Sequence, residues 1–130
     1  CRGTAANVVK ICKDAVVALM IEKKSAVEDL DEILSVEGVD MVQFGPSDYS
    51  LSIGLPGEYT HPKVREAELK TIKTALNMDV APRAEIGIPD EAKKYIDLGV
   101  RHFSLNTDLS ILFDWWKDKG GELKKILSGI

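Results

Sequence analysis

Four apolar stretches, each followed by a segment with helical periodicity, alternate along this chain. The first of them, AVVALMI at residues 15–21, runs without interruption up to Glu22. Continuous apolar runs of this length are typical of strands that are covered on both faces in a parallel sheet. Strands that alternate with helices predict right-handed crossovers, and therefore an α/β fold built around a parallel sheet.

The boundaries of the four units follow from local signals. We predict strands within residues 15–21, 39–44, 80–84 and 100–105. The first helix is expected to start at a Ser25–Glu28 capping box, the second near Pro62 and the third near Pro89. The polar corner after Phe44 is expected to continue as an irregular segment to Pro56.

The end of the chain predicts two further helices. Asn106, Thr107 and Asp108 can cap a helix over Leu109–Lys117, and Gly120-Gly121 is expected to break it before a last short helix that ends near Leu127.

Two architectures agree with four β/α units in a row. An open, doubly wound sheet could be complete within 130 residues. A (β/α)₈ barrel requires about 250 residues, so the same four units would form half of it. The pattern of strands and helices alone leaves both open.

Composition excludes several classes of partner. The net charge of −4 argues against nucleic acid, because phosphate-binding surfaces need clustered Lys and Arg. No stretch of about 18 apolar residues suggests a membrane span, and no signal peptide is recognisable. Cys1 and Cys12 form neither a disulfide framework nor a metal-spaced set. We therefore expect a cytoplasmic protein with no nucleic-acid or membrane partner.

Polar side chains gather where the predicted strands end, and in parallel sheets such residues meet at one edge. They are Glu22 after the first strand, Ser47 and Asp48 after the second, Arg83 and Glu85 at the third, and Asn106 to Asp108 after the fourth. Two carboxylates on neighbouring strands suit a hard divalent cation such as Mg²⁺ or Mn²⁺. The alternative is structural, with Glu22 capping the next helix and Asp48 forming an Asx turn.

Several longer stretches carry a more specific signal. Ile21-Glu22, AVEDLDEILSVEGVD at residues 26–40, GPSDYSLSIG at 45–54 and HPKV at 61–64 resemble the HpcH/HpaI aldolase family of class II, metal-dependent pyruvate aldolases. The resemblance extends over residues 15–127. It implies that residues 1–130 form one domain, the C-terminal half of a (β/α)₈ TIM barrel, with a protruding C-terminal helix.

The resemblance also implies a site and a reaction. Glu22 and Asp48 match the family's metal-binding carboxylates, and the backbone N–H groups of Ser47 and Asp48 match its substrate-carboxylate site. The cofactor would be a divalent metal, Mg²⁺ or Mn²⁺, with Co²⁺ and Zn²⁺ as alternatives. The reaction would be aldol cleavage or condensation of 4-hydroxy-2-oxo acids, giving pyruvate and an aldehyde through a metal-stabilised enolate.

Not all of the family's machinery has a counterpart here. Its catalytic Arg and His belong to the first half of the barrel, outside this sequence. His61 is predicted to be structural, at a helix start, and His102 to be a packed or surface residue of the fourth strand. Met20 stands where some relatives carry Gln. Arg2-Gly3 resembles a family loop, and we assign it no role.

Trp115-Trp116 predicts a subunit interface, because two adjacent tryptophans on an amphipathic helix are a large apolar feature. In the family the last helix packs onto a neighbouring subunit of a hexamer, so residues of about 108–128 are expected at such an interface in a homo-oligomer.

Two other functions stay open. One is a short, non-catalytic half-barrel that binds metal or carboxylate or self-associates through its open sheet edges, and the other is a related acyl-CoA lyase.

Overall fold

The computed structural model describes residues 4–129, so Cys1 and the Arg2-Gly3 loop lie outside the described residues. A single four-stranded sheet is formed by β1 (Ala18–Ile21), β2 (Met41–Phe44), β3 (Ala81–Ile86) and β4 (His102–Leu105). All neighbouring strands are parallel, and their spatial order is that of the chain, β1-β2-β3-β4.

Seven α-helices accompany this sheet in the described part of the chain. They are α1 (Ala5–Lys13), α2 (Lys24–Glu28), α3 (Leu30–Leu34), α4 (Pro46–Ser52), α5 (Pro62–Asn77), α6 (Ala92–Asp97) and α7 (Asp108–Ser128), with a 3₁₀ turn at Pro89–Glu91. Among residues 4–129, no helix is both long and apolar enough to cross a lipid bilayer.

Helices cover one face of the sheet. Alternate strand residues such as Ile21, Val42 and Phe44 are buried against α3 and α5, and Ala84 and Ile86 belong to a second cluster with α6. A doubly wound sheet reverses its strand order at a switch point, whereas these strands follow one another without reversal. Strand order therefore favours an arc of a barrel, with the helices outside.

The other face, which we call the inner face, carries the remaining strand residues. Met20, Gln43, Arg83 and His102 are register partners across the four strands and form one row on it. Glu85 lies on the same face as Arg83, because side chains of a strand alternate with a period of two. Met20 and His102 are exposed there, and Gln43 is buried.

The first predicted helix differs from the observed one at its start. Helical periodicity in this segment predicts one apolar stripe of Val27, Leu30, Ile33 and Leu34, of which Ile33 is partly buried and the other three are buried. Ser25, however, lies inside α2 and forms no capping box. The N–H of Lys24 instead donates to Ser52 Oγ of α4 at 3.1 Å, so a tertiary contact replaces the local cap.

The segment after β2 is a helix, and the prediction of an irregular connection was wrong. Pro46 occupies the first turn of α4, where its missing N–H is not needed. The hydroxyls of Ser50 and Ser52 donate to the carbonyls of Ser47 and Tyr49, at 2.7 and 2.8 Å. These bonds satisfy the two hydroxyls within the helix, so serines can occupy helical positions in a sequence that reads as a loop.

The prediction of a helix break at Gly120-Gly121 was also wrong, because α7 continues through both glycines as one helix. Each interior glycine costs only about 1 kcal/mol relative to alanine, which weakens a helix without ending it. Lys119 pairs with Asp118 and with Glu122 at 3.1 and 2.9 Å around this point. The N-cap at Thr107, whose side chain accepts from the Ser110 N–H, was predicted correctly.

Glu91 fixes the turn that follows β3. Its Oε2 accepts the N–H of Gly87 at 2.7 Å and that of Ile88 at 3.4 Å. These two backbone hydrogen bonds lower the pKa of the Glu91 carboxyl, and the bond from Gly87 has the larger effect. The ionised form therefore stabilises the fold above the pKa of an unfolded glutamate, about 4.3, and this stabilisation is lost as pH falls through the lower folded pKa.

We predict that Glu91→Gln lowers the urea midpoint of unfolding at pH 7, because the neutral amide accepts these bonds less strongly. The difference from the wild type should shrink as the pH falls below about 4.3, the ordinary pKa of a glutamate, because the unfolded chain then takes up a proton and the advantage of the ionised folded form declines. Glu37→Gln, in the exposed turn before β2, serves as the charge-matched control. A midpoint difference that is the same at pH 7 and pH 3 would contradict this account.

Candidate functional site

Glu22 leaves the end of β1 and lies across the backbone of Gly45. The Gly45 N–H donates to the Ile21 carbonyl at 2.9 Å, which continues the ladder between β1 and β2 by one residue. A Cβ at Gly45 would stand 2.7 Å from Glu22 Cγ and 2.8 Å from Glu22 Oε1. Because Gly45 has an ordinary φ of −103°, backbone conformation does not call for glycine here. A Cβ at this position would instead force the Glu22 side chain to move.

The corner after Gly45 presents two backbone donors. Tyr49 donates the first intrahelical bond of α4, to the Gly45 carbonyl at 3.1 Å. The N–H groups of Ser47 and Asp48 precede that bond, and helix geometry leaves them without an intrahelical acceptor. Gly45 at the N-cap offers no side chain to satisfy them.

Tyr49 anchors the corner to the core. Its ring packs against Phe44 with centroids 5.1 Å apart and a 54° tilt, and both side chains are buried. Burial, assisted by the negative charges of Glu28 and Glu66, raises the pKa of the Tyr49 hydroxyl, so this residue stays neutral. Packing in the core thus fixes Tyr49, the residue after Asp48, and with it the adjacent polar corner.

Two grooves flank this corner. The first, which we call the Glu22 groove, has a volume of about 440 Å³ and is lined by Glu22, Lys23, Lys24, Ser25, Asp48, Leu51 and Ser52. The second, the Ser47 groove, has a volume of about 350 Å³ and is lined by Pro46, Ser47, Tyr59, Glu85, Ile86, Gly87 and Asn106. The sheet thus brings Glu22 and Asp48 into one groove and places Ser47 in the other.

The structural alternative for the two carboxylates is not what the described residues show. α2 begins after Lys23 without a side-chain cap, so Glu22 does not cap it. Among the hydrogen bonds of residues 4–129, none is accepted by the carboxylates of Glu22 or Asp48. Both acceptors are therefore free to bind something else.

The donor set is compatible with a hard divalent cation. Residues 4–129 contain no group of three or more His, Cys, Asp or Glu side chains that could enclose a metal. Mg²⁺ and Mn²⁺ are commonly held by only one or two carboxylates and take water or substrate oxygens for the rest. Glu22 and Asp48 in one groove, with Gly45 leaving room for the Glu22 side chain, fit that kind of site.

The two histidines lie outside both grooves. His61 Nδ1 accepts the Lys63 N–H at 3.2 Å and caps α5, which confirms its structural role. His102 begins β4 and is exposed on the inner face, away from the carboxyl ends of the strands.

Three residues near the site were not predicted in their observed roles from the sequence. Gln43 was passed over, although a lone amide inside the apolar run Val42–Phe44 is an unusual choice for a buried strand. Glu85 was expected at the edge of β3 but lies within it, because the strand extends to Ile86. Tyr59 lines the Ser47 groove from the loop before α5, and no local pattern marks it.

Comparisons with known proteins agree with this architecture. Residues 1–108 match the HpcH/HpaI aldolase/citrate lyase family. The chain is 35% identical over 96 residues to a 4-hydroxy-2-oxo-heptane-1,7-dioate aldolase of Escherichia coli, covering 74% of this chain and 37% of that protein. It is 34% identical over 109 residues to a hydroxypyruvate/pyruvate aldolase of Roseobacter denitrificans, covering 82% and 42%.

Solved structures show the same relation. An HpcH/HpaI aldolase from Desulfitobacterium hafniense superposes with a TM-score of 0.78 at 28% identity, covering 95% of this chain and 49% of that one. A citrate synthase superposes with a TM-score of 0.83 over 95% and 51% of the two chains, and at 22% identity it shows the fold alone.

The chain thus spans less than half the length of the two aldolases matched by sequence and about half of the solved chains. Its four parallel β/α units correspond to half of a TIM barrel, which confirms the predicted fold class. The chain belongs to the HpcH/HpaI aldolase/citrate lyase family.

Proposed function

We propose that this chain provides the metal-binding and oxo-acid-binding part of a pyruvate aldolase. The reaction is aldol cleavage of a 4-hydroxy-2-oxo acid to pyruvate and an aldehyde, or its reverse. The observation that carries the proposal is the position of Glu22 across Gly45, in one groove with Asp48 and next to two free backbone donors. The names of the two aldolase relatives support the same reaction class.

Glu22 and Asp48 are the proposed metal ligands, for Mg²⁺ or Mn²⁺ in the first place. Glu22 contributes a hard oxygen from the end of β1 and Asp48 one from the first turn of α4, and the missing Cβ of Gly45 leaves room for the Glu22 side chain. The cation would supply a Lewis acid that polarises the substrate's keto oxygen, which eases cleavage of the bond next to it.

The N–H groups of Ser47 and Asp48 are the proposed site of the oxo-acid carboxylate. Two adjacent N–H groups at the start of a helical turn present partial positive charge to an anion. The Phe44–Tyr49 packing fixes their direction before substrate binds, so little ordering is required on binding.

The family's proton-transferring pair, an Arg and a His, has no counterpart among the residues that line the two grooves in the described part of the chain, which include no histidine and no arginine. We propose that it comes from the first half of the barrel, where the family carries its catalytic Arg and His.

The proposal predicts exchange of the pyruvate methyl protons with solvent deuterium, followed by proton NMR, in the complete barrel, in which this half is joined to a first half that carries the family's Arg and His, with Mg²⁺ or Mn²⁺. Glu22→Gln and Asp48→Asn should each lower the exchange rate at least about 100-fold, because loss of a ligand removes several kcal/mol of charge stabilisation. Excess chelator should have the same effect, and Glu37→Gln should have none.

Wild-type exchange that survives in both variants, or in excess chelator, would rule out this site. A metal-binding chain that exchanges no pyruvate protons would favour the non-catalytic half-barrel. Cleavage of malyl-CoA or citryl-CoA, with none of hydroxy-oxo acids, would indicate an acyl-CoA lyase.

We further propose that α7 forms a subunit interface in a homo-oligomer, a hexamer by analogy with the family. None of its described residues is buried, although it carries a dense set of large apolar side chains. Trp115 and Trp116 are 53% and 65% exposed and contact each other edge to face, with ring centroids 4.7 Å apart. An apolar surface of this kind is unfavourable in water unless another chain covers it.

Sedimentation velocity tests this interface. Trp116→Glu should convert the oligomer to smaller species, because the charge would be buried without a partner. Lys117→Glu on the same helix, which is also exposed, should leave the oligomer intact. A wild-type chain that sediments as a monomer at micromolar concentration would contradict the proposal.

A further inference from the structure

Gln43 is a buried amide on the inner face. It is only 6% exposed, and its Nε2 donates to Glu85 Oε2 on β3 at 3.2 Å. Its Oε1 is a buried polar atom without a hydrogen-bond partner among the described residues. Burying an amide is unfavourable unless its hydrogen bonds are made, so the bond to Glu85 is the interaction that this position serves.

Glu85 brings a carboxylate to the Ser47 groove. It is exposed and lines the groove together with Ser47, Tyr59 and Asn106. No ion pair with Glu85 occurs among residues 4–129. Arg83 stands two residues earlier on the same face but does not line the groove, so the residues that line it carry one negative charge and no positive one.

The remaining polar groups of the groove suit neutral hydroxyls. Ser47 and Tyr59 contribute hydroxyl groups that both donate and accept. Asn106 Oδ1 already accepts the Thr107 N–H at 2.8 Å, which leaves its Nδ2 to donate. A ligand hydroxyl can donate to Glu85 and accept from these residues, whereas a second carboxylate, in addition to the one proposed at the Ser47 and Asp48 N–H groups, would meet the like charge of Glu85.

We propose that the Ser47 groove binds the aldehyde partner of the reaction, and that Glu85, positioned by Gln43, selects a neutral hydroxylated aldehyde over one that carries a carboxylate. This inference rests on the proposed aldolase function. In the addition direction, the pyruvate methyl carbon loses a proton and bonds to the aldehyde carbonyl carbon, and the aldehyde oxygen gains a proton. No oxidant or further reactant is needed.

The test compares three aldehydes as acceptors for pyruvate with the metal-loaded complete barrel, in which this half is joined to the first half. Glycolaldehyde carries a hydroxyl, propanal is an apolar molecule of similar size, and succinic semialdehyde carries a carboxylate. The wild type should show the highest kcat/KM with glycolaldehyde and the lowest with succinic semialdehyde.

The variants separate charge from hydrogen bonding. Glu85→Gln should raise kcat/KM for succinic semialdehyde relative to glycolaldehyde about tenfold, because the like charge is gone. Glu85→Leu should lower the preference for glycolaldehyde over propanal about tenfold, the scale of a hydrogen bond to a charged group. Gln43→Leu should change both ratios in the same directions but less. Asp97→Asn, an exposed carboxylate at the end of α6, is the charge-matched control and should change neither.

The outcomes distinguish this inference from the function on which it rests. Wild-type exchange of pyruvate protons together with a preference for succinic semialdehyde, or with ratios that Glu85→Gln leaves unchanged, would overturn the role of Glu85 alone. Absence of pyruvate exchange in the wild type would overturn the proposed function itself.

Discussion

The candidate site depends on one backbone approach, that of β2 to the side chain leaving β1. The bond from the Gly45 N–H to the Ile21 carbonyl brings the strand ends together at 2.9 Å, and the missing Cβ of Gly45 leaves the space that Glu22 occupies. The chain then turns at Pro46 and starts α4, which brings Asp48 into the same groove. The glycine matters here because it leaves space for the Glu22 side chain. Its φ of −103° is accessible to any residue.

The outer layer explains why so short an arc holds this geometry. Phe44 and Tyr49 pack on each other on either side of the corner, and both belong to the core formed with α3 and α5. The polar residues at the strand ends are thus attached directly to the buried core. The inner face is not covered in this way, because Met20, Arg83 and His102 remain at least partly exposed on it.

Much of this could be predicted from the sequence, and the failures share a cause. Continuous apolar runs predicted where the strands lie, because a strand that is covered on both faces of a parallel sheet consists largely of apolar residues. Strand ends located Glu22, Ser47 and Asp48. The start of the first helix could not be predicted, because Lys24 is satisfied by Ser52, a residue 28 positions away. The role of Gln43 depends in the same way on Glu85, 42 positions later.

Local rules also erred where they were applied too strictly. Gly120-Gly121 suggested a break, yet a helix with ion pairs beside its glycines tolerates both. The Gly-Pro corner suggested a loop, although proline favours the first helical turn. The first error lies away from the candidate site, whereas the second concerns the site itself, because Asp48 lies in the first turn of α4.

The most direct test of this account is the Mn²⁺ affinity of Gly45→Ala, measured in the full chain from the electron paramagnetic resonance signal of free Mn²⁺. The account predicts that the new methyl group displaces Glu22 and weakens Mn²⁺ binding at least about tenfold, the scale found when a metal ligand loses its support. The urea midpoint should change little, because the backbone conformation is allowed for alanine. Gly120→Ala, where a Cβ would meet nothing within 4 Å, is the control and should bind Mn²⁺ as the wild type does. Unchanged Mn²⁺ affinity in a folded Gly45→Ala protein would contradict the proposed site.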